Sequence, residues 1–205
     1  TESNNLLNEN INPIISDYKT QHYTIAYQYL KSQSNNILFP IKSKLYLEAG
    51  FGKKTTPTNS ENQAQYSIDA LKIFLLNNKN SFFIKVNGSN LITDTYFENE
   101  LLRFGGINSI RGFEENSLFA SLFGVINTEY RYQLNNSIYL HTIIDAGYFE
   151  NKITKSKEKL FGYGFGFGIL TKAGLLRFNY ANGKTENTQF KLSNSKIHLS
   201  LTANF

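Results

Sequence analysis

The chain has 205 residues, and 21 Lys and Arg residues against 16 Asp and Glu residues give it a formal net charge of +5. Its basic residues are scattered, with no run longer than Lys53-Lys54, so this charge does not predict nucleic-acid binding. Cysteine is absent and the three histidines, His22, His141 and His198, have no ligand spacing. A disulfide framework, a zinc site and a His-based catalytic triad are therefore not expected.

Apolar stretches in the chain are short, and none reaches the roughly 18 to 20 residues that a transmembrane helix requires. The 17 Phe and 13 Tyr residues favour pleated sheets. Residues 1–20 are polar and Asn-rich at their start, and they predict a loop or a poorly ordered terminus rather than a signal peptide. We interpret the chain as a mature form or as part of a longer protein.

Alternation with a period of two begins near residue 23 and predicts β-strands. In one segment Thr128, Tyr130 and Tyr132 alternate with polar or charged residues, which places the two sets on opposite faces. Nine such strands are predicted, at about 23–29, 44–52, 65–76, 82–87, 118–132, 138–149, 160–170, 175–180 and 196–205.

Strands of this length, with short and long links in alternation, are typical of a transmembrane β-barrel. A soluble sandwich would have shorter strands with charged outer faces, whereas the face with Tyr130, Phe165, Phe178 and Phe205 is apolar or aromatic. An all-β, transmembrane antiparallel β-barrel over residues 21–205 is therefore predicted, because in lipid only a closed barrel of strands leaves no backbone group unpaired.

The links predict a topology. If the chain ends on the periplasmic side, the short links at about 77–80, 133–137 and 171–174 are periplasmic turns. The long links would then be extracellular, at about 53–64, 91–116, 150–159 and 182–194. Nine strands put residue 1 outside the cell, whereas a complete single-chain bacterial barrel has an even number of strands. The chain is therefore expected to be the C-terminal part of a larger barrel, unless the strand count is wrong by one.

The stretch from Phe104 to Phe113, FGGINSIRGF, resembles the lid-loop signature of the outer-membrane assembly-factor superfamily, which includes BamA, TamA and the two-partner-secretion transporters. In that family a glycine pair precedes a (V/I/L)RG(F/Y) tetrapeptide on a long loop that folds back into the barrel lumen. The matching residues here are Gly105, Gly106, Arg111, Gly112 and Phe113.

Further motifs extend the resemblance over about residues 20–205. Glu129-Tyr130-Arg131 is similar to the end of the strand after the lid loop, and residues 143–147, IIDAG, resemble the FxDxG motif, with Ile143 in place of Phe and Gly147 at its end. Residues 36–40 are similar to a short turn upstream. The resemblance implies about nine C-terminal strands of a 16-stranded barrel, without its first strands or periplasmic POTRA domains.

Arg111 is the first candidate for a functional role. A guanidinium inside a barrel requires pairing, and a bidentate carboxylate contact suits it best. Strand parity places Glu129 and Asp145 on polar faces that look into the lumen, and the resemblance implies the same pairing. Arg111 is therefore expected to latch the lid loop to one or both acids; the alternative is a solvated loop residue.

Two other sets of residues are candidates. The glycine face of the strand at 160–170 is expected to make room for the docked loop and Phe113, or else only to let the strand curve for closure; it comprises Gly162, Gly164, Gly166 and Gly168. The resemblance implies that Leu199, Leu201 and Phe205 form a C-terminal β-signal recognised during the protein's own assembly; the alternative is that Phe205 belongs to a lipid-facing aromatic girdle.

No acid–base pair or nucleophile constellation can be assembled from the sequence, so neither an enzyme nor a metal or other cofactor is expected. The resemblance implies an outer-membrane β-barrel of a Gram-negative bacterium that inserts outer-membrane proteins, with the edge of the last strand as a template. The alternatives are a two-partner-type polypeptide secretion pore and a small structural or adhesion barrel. Expected partners are outer-membrane lipid, client barrels or secreted polypeptides, and the barrel strands and POTRA domains outside this chain.

Overall fold

The structure is a computed structural model that describes residues 2–3, 18–33, 36–189 and 191–203. Its strands are β1 (Glu2–Ser3), β2 (Tyr18–Ser32), β3 (Ile41–Thr55), β4 (Ser60–Leu75), β5 (Asn80–Ile92), β6 (Leu102–Phe104), β7 (Leu118–Ala120), β8 (Leu122–Gln133), β9 (Ile138–Asn151), β10 (Ser156–Thr171), β11 (Gly174–Thr185) and β12 (Ser195–Thr202). Single 3-10 turns cover Glu98–Glu100 and Leu192–Asn194. Within the described ranges, no helix has the length and apolarity needed to cross a membrane.

Ten of these strands form one antiparallel sheet in the order β1-β2-β3-β4-β5-β8-β9-β10-β11-β12, and β6 pairs only with β7. Each long strand therefore pairs with its neighbours in sequence, as in an up-and-down barrel wall. The nine long strands are the nine that the sequence predicts, which confirms the all-β antiparallel class. Of the described strands, β1 and β12 form the two edges of the sheet.

The two faces of the sheet differ in polarity. On β8, Ile126 and Tyr130 are exposed on the outer face, whereas Asn127, Glu129 and Arg131 are buried on the inner face. This alternation of apolar outer and polar inner residues is the pattern of a barrel wall with lipid outside and a polar lumen inside.

Several links are shorter than the sequence predicts. The long loop expected at about 53–64 is wrong, because β3 and β4 leave only residues 56–59 between them; likewise only 152–155 and 186–194 separate the later pairs. Polar residues at the strand ends produced the error. Lys54, Glu61 and Gln63 continue the strands with buried side chains on the inner face, where polar groups find partners instead of lipid.

Two other strand boundaries differ from the prediction. Tyr18 to Thr20 belong to β2 rather than to the N-terminal loop, and β1 pairs with this segment through Glu2 and Ser3. The strand expected at 118–132 is divided at Ser121, because β7 pairs with β6 while β8 pairs with β5 and β9. The first three residues of that strand therefore form the neck of the long loop.

The links alternate between the two ends of the sheet. The lid side carries links 56–59, 93–121, 152–155 and 186–194, and the turn side carries links 33–40, 76–79, 134–137 and 172–173. Link 93–121, the lid loop, is the longest. On the turn side Leu38 and Phe39 fold inward and are buried, in a cluster with Ile73, Phe83 and Tyr139.

Candidate functional site

The tip of the lid loop is a tight glycine-containing turn above the β6–β7 neck. Gly105, Gly106 and Gly112 have φ angles of 112°, 89° and 91°, which L-residues with side chains rarely adopt. Gly106 N–H donates to the Ile110 carbonyl at 3.1 Å, and Ser109 N–H donates to the Gly106 carbonyl at 3.2 Å. This turn directs Ile110 and Arg111 toward the inner face of the sheet.

Arg111 lies between two carboxylates and is only 3% exposed. Its backbone N–H and Nε donate to Asp145 Oδ2 at 3.0 and 2.8 Å, and Nη2 donates to Asp145 Oδ1 at 2.5 Å. Its Nη1 donates to Glu129 Oε1. Asp145 on β9 thus receives both the backbone and one edge of the guanidinium, a bidentate arrangement that fixes the orientation of the loop as well as its position.

The ionic network continues from Arg111 toward the turn side. Glu129 Oε2 accepts a hydrogen bond from Arg131 Nε at 2.6 Å. The Arg131 guanidinium lies 4.0 Å from the ring centroid of Phe83 and 4.8 Å from that of Phe39, within cation–π range. Through Arg131, Glu129 therefore joins the lid loop to the buried Phe39 of the turn side. Sequence reasoning missed this role of Arg131, although its position two residues after Glu129 places both on one face.

Backbone carbonyls of the loop tip are also bound by the wall. Asn127 Nδ2 donates to the Ser109 carbonyl at 2.6 Å, and Lys85 Nζ donates to the Asn108 carbonyl at 2.8 Å. These contacts use the main chain of the loop, so they require the turn conformation rather than particular loop side chains.

Ile110 supplies the apolar part of the docking. It is fully buried in a cluster with Phe104, Ala120, Val125, Phe149 and Leu160. A Cβ at Gly147 would lie 3.2 Å from Ile110 Cδ1, closer than most Cβ contacts. The glycine of the IIDAG segment thus makes room for the residue that precedes Arg111.

The loop also contacts the edge strand β12. Gly112 N–H donates to His198 Nε2 at 3.1 Å, and Lys196 Nζ donates to Glu114 Oε1 at 2.7 Å. This contact with Lys196 holds the pKa of the Glu114 carboxyl below its usual range. Neither Lys196 nor His198 was a sequence candidate, because nothing in their spacing points to a loop more than 80 residues away.

The glycine face of β10 receives less of the loop than expected. A Cβ at Gly162 would overlap the carbonyl oxygen of Arg111, so this glycine does lie beneath the loop. The Phe113 ring, however, lies beside Gly183 of β11, where the Gly112 carbonyl also approaches. The expectation that the β10 glycines accommodate Phe113 is therefore corrected.

The other β10 glycines face the wall itself. A Cβ at Gly164 would overlap the Tyr180 carbonyl, and one at Gly168 would overlap the Tyr139 ring. At Gly166 it would lie 2.7 Å from the His141 ring and 2.5 Å from Asn179 Oδ1. These three positions admit close strand approach and bulky inner side chains from neighbouring strands.

The remaining candidates lie away from the loop contacts. Ile143 is buried on β9, whereas Leu199 and Leu201 are 66% and 56% exposed on the outer face of β12. Phe205 lies outside the described residues.

A cavity of about 360 Å³ remains between the lid tip and the turn side. Its wall combines Lys85, Arg131 and Arg177 with the apolar side chains of Leu71 and Ile73. In the part of the chain that the structure describes, no three His, Asp or Glu residues are grouped so that they could hold a metal ion. Arg111 binds both Glu129 and Asp145, so these three side chains hold the tip of the lid loop against β8 and β9.

Comparison with known proteins identifies the same family as the motifs. A family profile described as the Omp85 superfamily domain matches residues 2–205. No curated protein sequence matches the chain significantly.

Proposed function

The chain belongs to the Omp85 superfamily of bacterial outer-membrane proteins, and we propose that it inserts and assembles β-barrel proteins in that membrane. The proposed activity is non-enzymatic and requires no cofactor, because it consists of strand pairing with a client protein. Its working parts are the edge strand β12 and the docked lid loop.

The edge of β12 that has no partner among the described strands is the observation that carries this proposal. β12 pairs with β11 from Leu175↔Thr202 to Asn182↔Ser195, and among the described strands none pairs with its other side. An unpaired edge presents a row of backbone donors and acceptors to which another strand adds. A client strand arriving from the membrane would find this row beside the apolar residues Leu199 and Leu201.

The lid loop supports the edge from inside. It is bound to β8 and β9 through Arg111, and to β12 through His198 and Lys196. A strand held on its inner face by these contacts keeps its curvature while its backbone edge pairs with a client. The loop therefore acts as an internal latch in this proposal.

A polypeptide secretion pore is the second candidate function, and the polar inner face favours it. Buried Asn127, Arg131 and Asn179 would offer an extended polypeptide hydrogen-bonding partners along the lumen. The lid tip and the buried Leu38 and Phe39 of link 33–40 occupy that lumen. Secretion would require both to withdraw.

Cysteine cross-linking tests the assembly proposal, because the chain has no cysteine of its own. Leu199→Cys places one thiol on the outer face of β12, and Ile68→Cys places a matched thiol on the outer face of β4, in the middle of the sheet. A client barrel with a cysteine in its last strand is expected to form a disulfide with position 199 and not with position 68.

Three outcomes would overturn that assignment. Equal cross-linking at both positions indicates non-specific contact with the client. Cross-linking only from a lumen position, Asn127→Cys, supports secretion. Absence of any client adduct during barrel synthesis favours a structural or adhesion role.

A further inference from the structure

A second buried ionic cluster lies at the base of the lid loop. Lys54 on β3 is fully buried. Its Nζ donates to the Thr95 carbonyl at 2.7 Å and to Glu100 Oε2 at 2.9 Å, and it lies 2.8 Å from Glu61 Oε1 on β4. An ammonium group has three N–H donors, so all three are used, two of them by the lid loop.

Both carboxylates of this cluster have further partners. Glu61 Oε1 accepts hydrogen bonds from Thr93 Oγ1 at 2.8 Å and Thr95 Oγ1 at 2.7 Å. Glu100 Oε1 accepts one from Gln63 Nε2 at 3.0 Å. Lid-loop residues and strand residues therefore share one hydrogen-bonded network.

Two aromatic contacts extend the cluster to β2. The Lys54 ammonium lies 4.7 Å from the ring centroid of Phe97, within cation–π range. The Phe97 ring in turn stacks on Tyr18 with their centroids 5.1 Å apart. The first arm of the loop thus contacts three strands on the N-terminal side of β5.

The cluster and the Arg111 site lie on opposite sides of the strand from which the loop emerges. Residues 93–100 bind β2, β3 and β4, whereas the tip binds β8, β9 and β12. The loop leaves from the end of β5, which lies between these two groups in the sheet. The loop therefore crosses the inner face of the sheet, with its first arm bound on one side of β5 and its tip bound on the other.

We propose that Lys54 is a positioning residue that anchors the first arm of the lid loop, so that the loop acts as a strut between strands β2–β4 and β8–β12. The anchoring follows from the contacts alone, whereas its use in client assembly rests on the proposed function. Loss of the ammonium leaves two buried carboxylates without their cation, which favours movement of Glu100 and its arm toward water.

Arginine does not replace lysine in this position. The three acceptors of Lys54 belong to two residues of the loop and one of β4, and they surround a point charge. A planar guanidinium presents its donors in a fixed fork and requires more space. Lys54→Arg is therefore expected to restore the anchor only in part.

Trypsin provides a test through a residue already in the loop. Arg103 is exposed and follows Glu100 by three residues, but it is held in the β6–β7 pair. Trypsin can cleave after Arg103 only when the β6–β7 pair opens locally, so the cleavage rate measures the fraction of molecules in which this pair is open.

In native protein in proteoliposomes, Lys54→Met is expected to raise the rate of cleavage after Arg103 roughly tenfold or more. The adjacent exposed residue provides the matched control, Lys53→Met, which is expected to leave the rate unchanged.

Heat-shifted electrophoretic mobility establishes in parallel that each variant is folded. A folded Lys54→Met variant with unchanged cleavage after Arg103 overturns the proposal. If Lys54→Met does not fold, Glu100→Gln is used instead, because it weakens the contact between Lys54 and the loop while Glu61 still pairs with Lys54. An unchanged rate of cleavage after Arg103 in Glu100→Gln likewise overturns the proposal. Cleavage after Arg103 that increases in Lys54→Met supports the anchoring role of Lys54 even if the wild-type protein inserts no client. The second result alone would contradict the proposed function.

Discussion

Gly112 of the lid loop donates its backbone N–H to Nε2 of His198, 3.1 Å away on the edge strand β12. The donor is main chain, so the contact depends on the loop conformation, and His198 is the partner that substitution can remove. This hydrogen bond directly couples the position of the lid loop to the strand whose edge is free among the described residues.

Removal of the imidazole is expected to loosen β12. A lost hydrogen bond of this kind changes local stability by about 1 kcal/mol, so His198→Ala should increase amide hydrogen exchange in Ser195–Thr202 several-fold. His198→Gln is the matched control, since its side-chain carbonyl keeps an acceptor for the Gly112 N–H. Equal exchange in the two variants would show that the lid does not hold this strand.

Arg111→Met is expected to release the loop tip. It leaves Asp145 and Glu129 buried without this cation, which destabilises the docked state by roughly 3–5 kcal/mol. Ser109→Cys reports release through maleimide labelling, because Ser109 is buried and its Oγ has no hydrogen-bond partner in the structure. The exposed loop residue Arg103→Met is the control.

The chemistry of Arg111 gives a sharper version of the same measurement. Arg111→Lys keeps the charge but cannot bind Asp145 through two nitrogens while also reaching Glu129. Labelling at position 109 is therefore expected to stay fast in the lysine variant. Full protection by lysine would show that charge alone, rather than the guanidinium geometry, docks the loop.

A steric prediction concerns Gly162. Its Cβ would overlap the Arg111 carbonyl, so Gly162→Ala is expected to displace the docked tip and destabilise the protein by about 1–3 kcal/mol. Gly124→Ala is the matched control, because a Cβ there meets no atom within 4 Å. Thermal unfolding of the two variants in detergent measures the difference, and equal midpoints would contradict the loop position.

Link 33–40 provides a fourth prediction. Phe39 is 6% exposed and contacts Tyr139 edge-on with a centroid distance of 4.8 Å. Phe39→Ala is expected to destabilise the protein by about 3–5 kcal/mol. Ile37→Ala, in the same link but 66% exposed, should change stability by less than about 0.5 kcal/mol. Similar denaturant midpoints for both would indicate that the link does not pack inside the sheet.

Period-two alternation predicted the strands well, because successive residues of a barrel strand face lipid and the polar lumen in turn. Glu129 and Tyr130 illustrate this, since adjacent residues lie on opposite faces as parity requires. Strand ends were predicted less well. Lys54 and Glu61 look like loop residues in the sequence, and only pairing of β3 with β4 brings them to buried partners.

The candidate site was predictable where a motif carried it and not elsewhere. The RGF segment pointed to Arg111, and strand parity together with the family resemblance pointed to Glu129 and Asp145. The Lys54 cluster joins residues separated by 46 positions, and no local pattern specifies such a pairing. Residues 36–40 were interpreted as a turn, but the burial of Leu38 and Phe39 inside the sheet was not predicted.

Insertion of a client barrel into liposomes is the most direct test of the proposed assembly function. Native protein is placed in liposomes, an unfolded client barrel is added, and its folding is followed by heat-shifted electrophoretic mobility. An assembly function predicts faster membrane insertion of the client than in protein-free liposomes, with the acceleration reduced by Arg111→Met. Equal rates with and without the protein, or delivery of the client into the vesicle interior, would contradict an assembly function.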